Sequence, residues 1–279
     1  MHFKTILAGC LALGSATTTR AADDGAELAK QLSNPISSLI SVPFQSNWDF
    51  RMGALDDGWK YTMNFQPVVP LSLSEDWNVI VRTIVPFIAQ EDVVGTSSQS
   101  GMGDIVQSFF FSPKAPTSGG IIWGVGPALL YPTATDNLLG GEKWAAGPTL
   151  VVLKQSGGWT YGALANHLWS YAGDDARADL SATFVQPFVS YTTKKATSFT
   201  LNTEATYDWN NGQWLVPVNL SVGQVVKFGK LPVQFTIGGK YYADGPSGAP
   251  EWGMRFVITP LFPKGAKPAS APDGKSYAK

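Results

Sequence analysis

Few side chains in this sequence could make or break a covalent bond. Nucleophilic hydrolysis needs a nucleophile within hydrogen-bond reach of a base, and Asn166-His167 followed by Ser170 comes nearest to that requirement. His167 shares one face of an alternating segment with Tyr161, Ala163 and Ala165, which fits a structural or lumen-wall side chain better than a base. A zinc site needs a set of nitrogen and sulfur ligands; the sequence holds 2 histidines and 1 cysteine, and of these only His167 lies beyond the first ten residues. Asp174-Asp175 with Asp179, and Asp56-Asp57, could meet calcium, yet they lack the ordered ligand spacing of an EF-hand loop. They read as solvated loop acids, or as acids bridged to surface lipid by cations. Gly101-Met102-Gly103 leads into a strand without the helix that a dinucleotide fingerprint requires. Catalysis, metal and cofactor are all unexpected.

The polar residues that alternate with aromatic ones say more. Trp59, Tyr61, Met63, Phe65, Pro67, Val69 and Leu71 take one face of a period-two segment, with Lys60, Thr62, Asn64 and Gln66 on the other. Phe199, Leu201, Thr203, Ala205, Tyr207 and Trp209 oppose Thr200, Asn202, Glu204, Thr206 and Asp208, and Trp252, Met254, Phe256 and Ile258 alternate with Gly253, Arg255, Val257 and Thr259. If the aromatic faces meet lipid, then Lys60, Asn64, Gln66, Arg82, Asn202, Glu204, Lys240 and Arg255 point into a lumen. Charges inside a barrel either line a water-filled path or pair with one another to fill it. With both signs present, strong ion selectivity is not indicated.

The elements that would hold these residues follow from the same periodicity. Turn residues divide the chain into strands near 42–51, 59–73, 77–90, 102–113, 121–134, 144–156, 159–172, 180–193, 198–209, 214–228, 232–243 and 251–262. Their number is even, as expected of a bacterial outer-membrane barrel, and short connections alternate with longer, Asp- and Gly-rich ones. That arrangement places both chain ends in the periplasm. Alternation blurs in Val79 to Gln90 and Ile121 to Tyr131. Nearly all of the 10 tryptophans fall at or near a strand end, where amphipathic rings form two girdles at the headgroup level. The predicted fold is all-β: an antiparallel transmembrane barrel of about twelve strands with a short N-terminal helix. A soluble periplasmic barrel is the rival fold.

Composition agrees. Charged residues are 15% of the chain, against about 25% in soluble domains. With Lys+Arg at 20 and Asp+Glu at 21, no basic field exists to attract nucleic acid. Residues 1–22 read as a secretory signal, with Lys4, an apolar run from Ile6 to Leu13 and small residues before Asp23. Cys10 lies within it, so the mature chain would have no thiol; the lipoprotein-like Leu7-Ala8-Gly9-Cys10 comes too early for a normal processing site. Beyond residue 22 no apolar run is long enough for a spanning helix. Residues 23–41 carry Leu28, Leu32, Ile36 and Leu39 at helical spacing, interrupted by Pro35, and form a periplasmic or lumen-plugging segment. The barrel occupies 42–263, and 264–279 is a disordered tail rich in Ala, Pro, Gly and Lys.

Several segments also carry a family resemblance. Leu28 to Leu32, Leu39-Ile40-Ser41-Val42-Pro43-Phe44-Gln45, Gln66-Pro67-Val68-Val69-Pro70, Gly103-Asp104-Ile105, Gln107 to Pro113 and Trp123-Gly124-Val125-Gly126-Pro127 form one part of it. Gly162 to His167, Gly173-Asp174-Asp175, Leu201-Asn202-Thr203-Glu204 and Leu261-Phe262-Pro263-Lys264 form the rest. Together they resemble proteobacterial outer-membrane "transporter" proteins similar to the phenol-degradation meta-pathway family, some of which carry the label neuromedin U. The resemblance spans nearly the whole mature chain. It implies an outer-membrane channel for small molecules, hydrophobic or aromatic ones among them, with outer-membrane lipids, an unknown small-molecule solute and the barrel assembly machinery as partners. Barrels of this kind commonly end on an aromatic residue; here Phe262 is followed by Pro263 to Lys279. The alternatives are a structural or adhesive barrel with a closed lumen and, further off, a membrane hydrolase using His167 or Ser170. The sequence lacks the His-x-Ser-Asn-Gly pattern of outer-membrane phospholipases, which share the twelve-strand number.

Overall fold

Side chains that alternate along a strand must divide between inside and outside once the sheet closes on itself. The computed structural model describes residues 24–263; the signal segment with Cys10 and the tail from Lys264 lie outside the described residues. Residues 24–32 form a helix, α1. Twelve strands follow. β1 comprises Ile40–Ser41 and, past Pro43, Phe44–Met52; β2 comprises Gly58–Phe65 and, past Pro67, Val68–Ser72; β3 is Trp77–Glu91. β4 comprises Ser98–Met102 and Ile105–Pro113, β5 is Ile121–Tyr131, β6 Lys143–Ser156, β7 Trp159–Gly173 and β8 Ser181–Thr192. β9 comprises Thr197–Thr203 and Ala205–Asp208, followed by β10 (Gln213–Phe228), β11 (Leu231–Asp244) and β12 (Trp252–Phe262).

Each strand pairs antiparallel with its sequence neighbours, and β12 returns to β1 with Trp252 opposite Phe50 and Ile258 opposite Phe44. The barrel is closed. Closure removes the free edges that would otherwise leave backbone N–H and C=O groups unpaired in lipid. Interruptions fall where the ladder lacks a donor or turns: at Pro43, where the Gln66 amide donates to the Pro43 carbonyl, at Pro67, where the Thr83 amide donates to the Pro67 carbonyl, at Gly103-Asp104 and at Glu204. The predicted strand positions match the observed ones closely. The main departures are β4, which starts at Ser98 because the polar Ser98–Met102 pairs with β3, and β5, which stops at Tyr131 before Pro132.

Register assigns the faces. Trp48, Tyr61 and Ala89 share one outward row; Asn47, Thr62 and Ile88 share an inward one. The outside carries Leu150, Val152, Leu201, Leu220, Val222, Ile237, Met254 and Phe256, all exposed. Outward rings meet in tilted or edge-on pairs towards both ends: Trp77 with Trp123 and Trp159 with Tyr191 at the short-turn end, and Trp48 with Tyr61, Tyr131 with Trp144 and Tyr207 with Trp214 at the long-loop end. A continuous exposed apolar belt between two aromatic rows is stable in lipid and not in water. A soluble barrel is therefore ruled out, and the protein is an outer-membrane barrel in contact with membrane lipid.

Both mouths are partly covered. At the short-turn end α1 and the chain after it lie inside the wall, where Ala29 and Leu39 pack with Ala196, Val225 and Leu261. The Gln155 amide donates to the Lys30 carbonyl at 2.8 Å. At the other end the 132–142 loop leans over the inner face of β4, with Leu139 buried beside Gly101 and Gly103. Asp104 fixes that loop by accepting from the Ala134 and Gly141 amides at 3.1 and 2.7 Å.

Candidate functional site: the lumen

Of the eight side chains expected to line a lumen, Lys60, Glu204, Lys240 and Arg255 form one inward-facing group, Gln66, Arg82 and Asn202 a second, and Asn64 stands apart. The first surrounds β1, β2, β9, β11 and β12. Lys240 Nζ meets Asp49 Oδ1 at 2.7 Å, and the Tyr242 hydroxyl donates to the same oxygen at 2.8 Å. Arg255 donates Nε to Asn47 Oδ1 at 2.8 Å and both terminal nitrogens to Glu204, at 2.8 and 2.7 Å. Such a two-pronged pair fixes both partners in orientation as well as charge. Glu204 faces inward by alternation, the register of β9 running unshifted past it on both sides. Lys60 stands opposite Asp49 and Gln90 in register, and Gln90 donates to Gln99 at 2.8 Å. Asn219 stands opposite Lys240 and Asn202, with neither side-chain amide atom bonded to protein.

The second group lines a cavity of about 260 Å³ between the barrel wall and the chain following α1. Gln66, Arg82 and Asn202 reach it, together with Gln186 and Thr236 on the wall and Pro35 on the N-terminal segment. Arg82 donates Nη2 to Gln66 Oε1 at 3.0 Å. Gln66 faces it by simple alternation, since the register of Phe65 with Val85 continues unshifted to Val68 with Arg82 across Pro67. Segments that carry the family resemblance converge here, since Leu32, Ser41, Pro43, Gln66, Val68 and Asn202 all line this cavity. Asn64 faces inward opposite Gln45 and Pro86, away from both groups.

Between scattered hydroxyls such as Ser108, Thr149 and Thr160, the facing side of the lumen carries an apolar cluster. Ile36, carried in by the N-terminal segment, packs with Ile80, Phe110, Val151, Leu153 and Leu164, flanked by Val68, Ile122, Phe184 and Phe188. Sequence reasoning missed this wall, together with Asn47, Asp49, Asn219 and Tyr242 on the polar side. A signal existed: the two stretches in which alternation blurs, Val79 to Gln90 and Ile121 to Tyr131, supply Ile80 and Ile122. A strand apolar on both faces cannot alternate.

His167 does not line the lumen. It faces outward, its ring centroid 3.9 Å from that of Trp169, and Nδ1 lies 2.7 Å from Thr183 Oγ1. Ser170 faces inward opposite Ala145 and hydrogen-bonds Asp179. The wall of the barrel separates the two, so they do not come together as nucleophile and base. At the long-loop end, Asp179 is exposed, and its contact with Lys143 at 3.1 Å, seconded by Ser170, holds its carboxyl below the usual range. No group of metal-ligating side chains occurs among the described residues.

The COG4313 outer membrane channel from Pseudomonas putida F1 superposes with a TM-score of 0.63 at 14% identity, covering 80% of this chain and 94% of that one. This chain shares the barrel fold of that protein. The NanC porin gives a TM-score of 0.47 at 11% identity over 80% of this chain and 99% of the porin. Outer membrane phospholipase A from Escherichia coli gives 0.46 at 11% over 86% and 98%. No protein-family model and no curated protein matches the sequence. At 14% identity the likeness to the first speaks for the fold alone.

Proposed function

We propose that the barrel is an outer-membrane channel for small molecules, hydrophobic or aromatic ones among them, of the kind associated with the phenol-degradation meta-pathway family. One observation carries the reading: the lumen is obstructed by a separable piece of chain, residues 24–39, beneath which a cavity lined by wall side chains persists. A wall meant only to be filled would close with its own side chains. The two-faced lumen supports passage of solutes with an apolar body, because Phe110, Phe184 and Phe188 offer surface that a purely polar pore lacks. The short turns face the periplasm in this reading, and the β12 end at Phe262 is the part offered to the assembly machinery. No catalytic step is proposed.

The competing reading, a structural barrel with a closed lumen, draws on the packing of Ile36 into the apolar wall. Bilayer conductance and liposome swelling separate the two. Deletion of residues 24–39 is expected to raise conductance severalfold while the barrel keeps its heat-modifiable migration on a gel. Folded barrels that pass neither ions nor small solutes, with or without the segment, would reject the channel.

A further inference from the structure

The inner wall holds more positive charge than it neutralises. Midway along the lumen four cations, Lys60, Arg82, Lys240 and Arg255, face two carboxylates. Asp49 is engaged by Lys240 and Tyr242, and Glu204 is engaged on both oxygens by Arg255. Among the described residues Lys60 and Arg82 form no salt bridge. Arg82 is the more informative of the two because it reaches the 260 Å³ cavity. A guanidinium carries five N–H donors in a rigid fork, and the hydrogen bond Arg82 makes is the single one to Gln66. Glu204, already held on both oxygens by Arg255, attracts Arg82 only through space and fills none of its donors, and an anion with two oxygens side by side satisfies the fork in one plane.

The same cavity has an apolar side. Val68 and Phe188 line it from the wall, and both pack against the cluster built on Ile80 and Phe110. Leu32 and Pro35 complete that side from the N-terminal segment. About 260 Å³ is close to the lower end of ligand-pocket sizes, roughly 300 Å³, which suits a molecule with one ring.

We propose that this cavity is a binding subsite for small amphipathic monoanions, aromatic carboxylates in particular. The carboxylate lies on Arg82 beside the Gln66 amide, and the ring lies on Val68 and Phe188. The subsite selects, within the broader set of channel solutes, those with charge at one end and an apolar body at the other. It rests on the channel reading of the same lumen, and its test is separable from that reading.

Isothermal titration calorimetry of the folded, full-length mature protein with 3-phenylpropionate and with its uncharged amide, 3-phenylpropanamide, asks whether the site reads charge. The acid is expected to bind at least about tenfold more tightly than the amide. Arg82→Gln is expected to bring the acid down to the level of the amide, and Arg82→Lys, which keeps the charge and loses the fork, to fall between. Phe188→Ala is expected to weaken both probes alike. Equal binding of acid and amide by the unaltered protein, binding of neither, or an R82Q barrel of normal gel migration that holds the acid undiminished would each overturn the subsite. Conductance of the same preparations judges the channel by itself. Arg82-dependent binding without conductance keeps the subsite and rejects the channel; conductance with charge-blind binding does the reverse.

Discussion

On β11, β12, β1 and β2 the inward side chains include Lys240, Arg255, Asn47, Asp49 and Lys60; on β3 to β8 they include Ile80, Phe110, Ile122, Val151, Leu153, Leu164 and Phe184. One backbone architecture thus holds two walls of opposite chemistry across a single lumen. The polar wall depends on direction, since each bond in it needs a partner at a set distance and angle. The apolar wall depends on volume and tolerates change in proportion to the space left behind. A solute touching both walls meets fixed donors on one side and a compliant surface on the other.

The contrast can be broken from either side. Glu204→Ala, which strands Arg255 in the polar wall, should have the largest effect, a loss of about 3–5 kcal/mol in urea unfolding in detergent. Replacing the pair together, Glu204→Leu with Arg255→Met, should restore most of that loss; a double variant as weak as the single would mean that the polar wall is not governed by its charge pairing. Phe110→Ala, removing a ring only 1% exposed, should cost about 3–4 kcal/mol. Ile80→Val, at the same wall and fully buried, should cost about 1 kcal/mol; costs that do not scale with the atoms removed would show that this wall is not simply packed. The smallest change is expected at Asp179. Its carboxyl ionises below the ordinary value of 3.8, so its link to Lys143 adds stability above that value and loses it as pH falls through the lower folded-state value. Asp179→Asn should therefore lower the melting temperature slightly at pH 7 and converge with the unaltered protein as pH falls below the ordinary carboxylate value; a difference that does not shrink in acid would remove Asp179 from the account.

Much of the barrel was legible in the sequence because closure rewards a strict period of two wherever one face is polar. The Lys60 to Gln66 run and the Asn202-Glu204 run alternate cleanly, and both face inward as expected. Val79 to Gln90 alternates poorly because Ile80 and Ile88 face the lumen while Val79 and Phe87 face out. Periodicity shows which side a residue takes and gives no information on which residues meet across the lumen. Arg255 reaching Glu204, or Ile36 reaching Phe110, depends on strand tilt and on where the N-terminal segment turns into the lumen. Between the structural and the lumen-wall place left open for His167, the structure takes the first, outward beside Trp169 and Thr183; its neighbours Ala163 and Ala165, small and apolar, suit either side.

The position of the charged wall has a consequence for how the barrel assembles. Arg255 bonds Asn47 across 208 positions of chain and Lys240 bonds Asp49 across 191, and the first of these spans the seam where the last strand meets the first. Bringing ends so far apart together carries the largest chain-entropy cost in the ring, and contacts of that kind form late. The cluster then acts as a clasp. Once β1 and β12 have met, it slows their parting, so loosening it should appear as faster opening of the seam, with the rate of insertion and folding nearly unchanged.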